Sequence, residues 1–536
     1  MMEKFYITTP IYYPSSNLHI GLTYCTVMAD AMARFKRLVG FDVMFLTGTD
    51  EHGQKIQRVA AENGNSPQEY VDKIVSGIKE LWATMEISYD DFIRTTEERH
   101  KQRVQELFER IRDAGDIYKG VYEGWYCTPC ESYWTEKQLE NGNCPDCGRP
   151  AERMSEEAYF FRLSNYADKL LELFETNPSF LEPETRRNEM IQFIKQGLED
   201  LNVSRSNFDW GVKVPGEEGQ VIYVWFDAVA NYMTALGYPE IEGGAPNDAP
   251  DAGLEKYGKY WPADVHLVGK EIVRFHSIIW PAMLMSAGLP IPKQVRGHGW
   301  LLLGGKISKS KESERRDVID PVVLIDRYGV DALKYFLLRE YTFGHDGQYS
   351  NEVMLNRING DLANDLGNLL SRTCGMAEKY FGGHVEKPAD SSNEHDMALA
   401  RLAEGLANKV EAYMDKFEFN HALEEIWSLV SASNKYIDET MPWVIAKEEA
   451  QKSRLEAIMY NLCESLRVIS ILIYPFMHHS ADEIRGQLGK GKEEALWTDA
   501  RIFGKEASYD VVKGDALFPR IDVQSELEEL AALNGA

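Results

Sequence analysis

A short apolar run, Phe5 to Thr9, leads through Asn17-Leu-His-Ile-Gly-Leu22 into a stretch patterned as a helix, residues 23–40. Val27, Ala31, Phe35 and Leu38 recur there at helical spacing, and Gly40 is a natural stop. The chain therefore opens with a strand that turns into a helix, and His19 and Gly21 stand at the turn. The first turn of a helix offers unpaired N–H groups and a partial positive charge, which suit a phosphate. A glycine there lets a ligand approach the backbone, and a histidine can donate to a phosphate oxygen. The same His-x-Gly also describes a plain capping turn.

A second stretch, GGKISKS at 304–310, packs two glycines, two lysines and two serines into seven residues. Such a cationic loop can follow a triphosphate, and it is also what an ordinary lysine-rich surface loop looks like. Residues 42–48, DVMFLTG, read as a second buried strand, with Asp50 and His52 just past its end. In open α/β sheets ligands gather at that end of the strands. Residues 66–112 read as helical. Further strands are expected at 220–228, within 261–269 and at 293–302, and a helix over EIVRFHSIIWPAML. Residues 239–255 read as a surface loop. An all-helical region runs from about 326 to 487, and residues 523–536 read as a short helix or frayed tail.

Two Cys-x-x-Cys pairs, Cys127/Cys130 and Cys144/Cys147, are separated by thirteen residues. With Pro129, Gly142, Pro145 and Gly148 forming tight turns, four thiolates can close a tetrahedral site, the spacing of a structural zinc ribbon. Four cysteines leave no open position for catalysis. Cys25, Cys374 and Cys463 lie in helix-like contexts and read as core residues. At 536 residues the chain has room for several domains. Its net charge of −27 excludes nucleic-acid binding through bulk electrostatics, so any such contact must rest on locally placed basic groups. No apolar run reaches membrane-spanning length and no signal peptide precedes the first strand, so a cytoplasmic protein without membrane contact is expected.

The two motifs together, His19-Ile-Gly21-Leu22 and Lys306-Ile-Ser-Lys309-Ser310, resemble the paired HIGH and KMSKS signatures of the class I aminoacyl-tRNA synthetases. TPIYYPSSNLHIG, FLTGTDEHGQKI, YVWFDAVANYM and VGKEIVRFHSIIWPAML narrow the resemblance to the methionyl-tRNA synthetases, over about residues 4–480. The resemblance implies an α/β fold: a Rossmann-type parallel-sheet catalytic domain with a zinc-bearing insertion, followed by an all-α anticodon-binding helix bundle. The expected boundaries are 1–115 and 206–305 for the halves of the catalytic domain, and 116–205 for the insertion. The signature-loop region is expected at 306–345, the helical domain at 346–520 and a tail at 521–536.

By matched motif position, His19, Gly21, Gly269, Glu271 and Lys309 would contact ATP, with His19, Lys306 and Lys309 acting on phosphate charge. Asp50 would hold the methionine ammonium. Ile11, Tyr13, Trp225, Ala228, Tyr232, Ile272 and His276 would line the methionine pocket. Asn364, Asn368, Arg372 and Trp443 would read the anticodon, although from spacing alone the first three better describe a solvated polar stripe. Structural zinc, magnesium with ATP, and methionine and tRNA(Met) as substrates follow from the same resemblance, as does a monomer, since no appended dimerising domain is expected. The sequence departs from the family pattern at Leu22, where a histidine is usual, at Ile307 and Val229, and in the ESERRD stretch before Val318.

Three other functions fit parts of the chain. A sibling synthetase for isoleucine, valine, leucine or cysteine would need a larger editing insertion or a different pocket. A small-molecule nucleotidyltransferase would not need the long helical region. A non-catalytic zinc-bearing RNA-binding protein would not need both His19 and Lys309.

Overall fold

The computed structural model describes residues 2–14, 18–130, 132–134, 136–206, 208–237, 250–303, 318–389, 393–491 and 496–533. The first elements are β1 (Lys4–Tyr12), α1 (Ile20–Val39), β2 (Asp42–Thr49), α2 (Gln54–Glu62), α3 (Pro67–Thr84), β3 (Asp91–Arg94) and α4 (Glu98–Asp113). β4 (Ile117–Cys127), β5 (Ser132–Trp134), β6 (Glu152–Phe161), α5 (Ala167–Thr176), β7 (Leu181–Glu182), α6 (Glu184–Lys195) and β8 (Leu201–Asn202) follow. Next come β9 (Ser204–Arg205), β10 (Val221–Ile222), α7 (Val224–Val229), α8 (Asn231–Thr234), α9 (Pro250–Tyr260), β11 (Val265–Gly269), α10 (Trp280–Ser286), β12 (Val295–His298) and β13 (Leu301–Leu303).

β3-β2-β1-β11-β12-β7 form one parallel sheet. Alternate residues face opposite sides, as a pleated strand requires. Phe5, Ile7, Val43, Phe45, Val265 and Leu267 enter one core, and Tyr6, Met44, Leu46, Ile93 and Val268 enter the other. Both faces are covered, which is how parallel sheets are found. The strand order reverses between β1 and β11, so the carboxyl ends of these two strands flank the natural ligand crevice. β5-β4-β6-β8 make a separate antiparallel sheet in the insertion.

The remaining elements are mostly helical: α11 (Pro321–Tyr328), α12 (Val330–Glu340), β14 (Gly347–Tyr349), α13 (Asn351–Arg357), α14 (Asn368–Phe381), β15 (His384–Glu386), α15 (Glu394–Met414) and α16 (Phe419–Thr440). α17 (Pro442–Ile445), α18 (Lys452–Ile473), α19 (His478–Gln487), β16 (Ser508–Asp510) and α20 (Val523–Leu533) complete the chain. The bundle does not have a core of its own. Its apolar residues join those of α1 and one sheet face in a single cluster. Phe35 of α1 meets the buried Trp497 edge-on with ring centres 5.0 Å apart. Lys334 of α12 donates to Asp30 of α1 across the same contact, 2.8 Å, with both groups buried.

Several expectations are corrected. Residues 66–112 are not all helical, because β3 lies within them. The run 220–228 is not a strand. Only Val221–Ile222 is extended, and α7 begins at Val224. α7 is buried nearly all round, and a fully buried helix shows the same unbroken apolar run as a buried strand. The strand expected at 293–302 is two. An added Cβ at Gly299 would lie 2.0 Å from the His345 carbonyl oxygen. The chain passes that backbone, leaves the main sheet, and pairs β13 with β14. Part of the loop expected at 239–255 lies outside the described residues, but its end is helical as α9. The tail, by contrast, is the short helix expected there, α20, held to α11 by Arg327 on Glu526 and Glu529, 2.5 and 2.6 Å. No helix among the described residues is long and apolar enough to cross a membrane.

Candidate active site

Ile11, Tyr13, His19, Gly21, Asp50, Gly269, Glu271 and Ile272 stand at or just past the carboxyl ends of β1, β2 and β11, and Trp225, Ala228 and Tyr232 lie on α7 and α8. His19 is the N-cap of α1, and its Nδ1 accepts the Gly21 N–H at 3.1 Å. An acceptor at Nδ1 leaves the ring proton on Nε2. A Cβ at Gly21 would sit 3.0 Å from the His19 ring, so glycine keeps that ring close over the helix start. Ile20 N–H donates to Ile319 O at 3.0 Å, which ties the same turn to the chain emerging from the lysine loop. Lys306 and Lys309 lie outside the described residues, as does the ESERRD stretch. Leu22 is partly exposed.

Asp50 follows β2 and is nearly buried, with its N–H on Tyr12 O at 3.0 Å. It is close enough to Tyr232 that its charge helps raise that phenol, after burial as the larger cause. Tyr232 Oη and His276 Nε2 are 2.6 Å apart, and His276 Nδ1 lies 2.9 Å from Ile272 O. A carbonyl can only accept, so Nδ1 carries the proton and Nε2 accepts from Tyr232. Burial lowers His276 to about 4, against the bond to Ile272, so the ring is neutral at physiological pH. Trp225 stacks on Phe275 with ring centres 3.7 Å apart. Ala228 of α7 is buried, and Ile11 and Ile272 pack against the core cluster that holds Tyr232 and Phe275. Tyr13 stands nearer the α2 side, with Lys55 5.1 Å from its ring centre.

At the end of β11, a Cβ on Gly269 would lie 2.4 Å from the Glu271 carboxylate, so glycine makes room for that side chain to fold back. Glu271 accepts the Trp300 indole N–H at 2.5 Å, and Lys270 lies 4.2 Å over the same indole.

The sequence reading missed a buried relay behind this edge. Asp227 binds His52 Nδ1 at 2.7 Å and His100 Nε2 at 2.6 Å, and His100 Nδ1 meets Thr234 Oγ1 at 2.7 Å. Burial drives the Asp227 carboxyl up, but the two histidines outweigh it and bring it to about 2. A lone carboxylate in the apolar run YVWFDAV was the available signal. A buried charge needs partners, and two histidines elsewhere supply them.

The four cysteines of the insertion converge, with all sulfurs within 4.8 Å of one another. Cys127–Cys147 and Cys130–Cys144 separations are 3.5 and 3.9 Å. Four sulfurs at about 2.3 Å from one tetrahedral ion would stand about 3.8 Å apart, so the donor set fits zinc. Gly148 N–H donates to Cys144 O and Cys144 N–H to Arg149 O, each at 2.8 Å, closing the second turn. Cys25, Cys374 and Cys463 are buried core residues.

In the bundle, residues 358–367 wind as a π-helix and α14 begins at Asn368. The even four-residue spacing of Asn364, Asn368 and Arg372 therefore crosses a change of helix type. Asn364 and Asn368 line one hollow of about 440 Å³ with Phe518. Arg372 and Trp443 line the next, about 400 Å³, with Ser371 common to both. Trp443 is 41% exposed, too open to be a core residue. Arg372 lies 6.0 Å from its ring centre and is held by Asp438 at 2.8 Å.

A parallel sheet with this edge, a cysteine-knuckle insertion and a helical bundle is the architecture of a class I tRNA synthetase. A family model described as tRNA synthetases class I (M) matches residues 5–154 and 149–374, and one for the anticodon-binding domain of tRNA ligase matches 396–515. The methionine–tRNA ligase of Caldanaerobacter subterraneus is 62% identical over 99% of this chain and 81% of its own length. That of Bacillus subtilis is 52% identical over 99% and 80%. The Mycobacterium tuberculosis methionyl-tRNA synthetase in complex with methionyl-adenylate superposes with a TM-score of 0.90 at 40% identity, covering 97% of this chain and all of that one. The chain belongs to the methionyl-tRNA synthetases of class I.

Proposed function

We propose that this chain is a methionine–tRNA ligase that works in two steps. A methionine carboxylate oxygen attacks the α-phosphorus of ATP, the bond to the bridging oxygen breaks, and pyrophosphate leaves. A terminal ribose hydroxyl of tRNA then attacks the methionyl carbonyl and AMP leaves. The observation that carries this reading is the Tyr232–His276 pair beside Asp50. A fixed, neutral imidazole accepts the Tyr232 hydroxyl hydrogen bond, so the phenol is held in place beside the Asp50 carboxylate among aromatic side chains. Such a pocket suits an apolar thioether chain with an ammonium at one end.

The chemistry asks for positioning and for stabilisation of phosphate charge. His19 donates from Nε2 toward the phosphates, at the positive end of α1. Asp50 pairs with the ammonium, Glu271 accepts from a ribose hydroxyl, and Gly21 and Gly269 let the nucleotide approach. Lys306 and Lys309 act on the leaving pyrophosphate, a role that rests on their motif. Magnesium carried by ATP supplies further charge neutralisation when bound. Asn364, Asn368, Arg372 and Trp443 form the anticodon-reading groove, with tRNA(Met) as partner. The enzyme acts as a monomer in the cytoplasm.

The test is pyrophosphate exchange into ATP with each amino acid in turn, then charging of tRNA. Exchange that depends on methionine alone is expected. Equal exchange with isoleucine, valine or leucine, or none with methionine, would reject the reading.

The knuckle should hold one zinc per chain on Cys127, Cys130, Cys144 and Cys147. Chelation should loosen the insertion and leave the six-stranded core folded, because the four cysteines close only a local loop. Elemental analysis of fresh protein, with circular dichroism before and after chelation, checks both parts. Absence of zinc, or loss of the whole fold, counts against it.

A further inference from the structure

A second cluster of metal-type ligands lies away from the knuckle, on the seam between the sheet-bearing body and the bundle. Glu86 follows α3, and His478 and His479 open α19. Glu86 Oε2 lies 2.5 Å from His478 Nε2 and 2.6 Å from His479 Nε2. The three ligand atoms fall within 4.8 Å of one another. We propose that Glu86, His478 and His479 form a binding site for a borderline divalent transition ion such as nickel or zinc, clamping the two parts of the molecule together.

Four observations support the site. First, the donor set is two imidazoles and one carboxylate, which suits ions of this class and leaves positions for water. Second, Glu86 is held in place through its backbone. Its φ is +51°, a left-handed conformation that a non-glycine residue adopts at some cost. Arg34 donates to its carbonyl oxygen at 2.6 Å and Lys334 does so at 3.3 Å.

Third, the surroundings tolerate a cation. Glu86, Asp30 and Asp331 carry three negative charges against two positive ones on Arg34 and Lys334, which pair with Asp30 at 3.0 and 2.8 Å.

Fourth, Asp331 is 5% exposed, and its Oδ1 has no hydrogen-bond donor among the described residues. Its other oxygen caps α19 through Ser480 N–H at 2.6 Å and the Ser480 hydroxyl at 2.7 Å. The bare Oδ1 lies 3.9 Å from His478 Nδ1. When a metal takes Nε2, the ring proton sits on Nδ1, and a small movement of the ring lets Asp331 Oδ1 accept that N–H. A carboxylate behind a ligating histidine is the usual support of such a site. The ligand atoms must separate to admit the ion. The Glu86 and His479 side chains, 38% and 58% exposed, have room to swing apart.

The experiment uses untagged full-length protein with its knuckle already loaded with zinc, titrated with nickel by calorimetry. One further nickel per chain is expected. His479→Ala and Glu86→Gln should each weaken it by about 10-fold or more, and Asp331→Asn by about 10- to 100-fold. Binding should weaken as pH falls, because protons compete with the metal for the ligand nitrogens. Cobalt in place of nickel should give weak visible bands without thiolate charge transfer, which separates this site from exchange at the knuckle. His479 is exposed, so its variant should melt with the parent. No nickel beyond the knuckle metal, or equal affinity in His479→Ala, would leave the cluster as an ion pair and overturn the site.

Discussion

Replacing His19 with asparagine should slow methionyl-adenylate formation by about 10²- to 10³-fold, the usual loss when one donor to developing charge is removed. Methionine binding should change little, because the lost contact acts on phosphate charge that grows in the transition state. Asparagine is the right probe because His19 has two jobs. Its Nδ1 caps α1 by accepting the Gly21 N–H, and asparagine is among the best N-cap residues. The substitution therefore keeps the helix start and removes only the Nε2 donor. Alanine would lose both, and its cap loss of about 1 kcal/mol would confuse the result. Single-turnover adenylate formation and thermal melting on the same preparation check the point. An unchanged rate would remove His19 from the reaction. A lowered melting temperature with a rate that recovers on cooling would assign it to the cap alone.

Trp443→Ala should reduce charging of tRNA by one to two orders of magnitude and leave methionine-dependent pyrophosphate exchange nearly intact. Stacking of a base on an aromatic ring contributes about 1–3 kcal/mol, and about 1.4 kcal/mol is a factor of ten. The indole is 41% exposed and forms the wall of a hollow with Arg372, Met376 and Tyr380. Its removal should therefore disturb the bundle little. In the proposed mechanism adenylate chemistry draws on the sheet edge, where His19 and Asp50 lie. Exchange, charging and melting on one mutant separate the cases. Equal loss of both activities, or a destabilised bundle with normal tRNA affinity, would reject the anticodon role.

The start of the sheet edge was legible because β1 and β2 are short apolar runs that stop at turns, which placed His19 and Asp50, whereas the remaining edge residues were assigned through the family resemblance. β1, β2 and β11 each end on a turn carrying a polar residue or a glycine. The knuckle was legible because sulfur spacing is itself geometric. Other features were hidden for physical reasons. β3 has only four residues, too few for alternation to register beside two long helices. α7 is apolar on nearly every side, so its period disappears. The break at Gly299 is set by the approach of His345, more than forty residues away, and no local pattern encodes it. The π-wound turn before Asn368 shifts the helix phase, which a 3.6-residue reading cannot follow. The Asp227 relay joins residues from three separate segments and shows only once they are packed together.

The shared core behind α1 bears on how this enzyme can change over time. One side of α1 faces the sheet and begins with His19. The other side is buried against Trp497, Lys334 and their neighbours. The helix is thus a party wall between amino-acid activation and the bundle. A bundle exchanged for that of a distant relative would meet a surface shaped for its predecessor. Asp30, fully buried, would lose Lys334, and a buried charge stripped of one partner typically costs about 3–5 kcal/mol. Inheritance of the two halves is therefore joint: substitutions on the outer face of α1 and on α12 have to change in step, whereas the cysteine knuckle, whose Cys127, Trp134 and Cys144 pack as a small cluster of their own, is freer to drift.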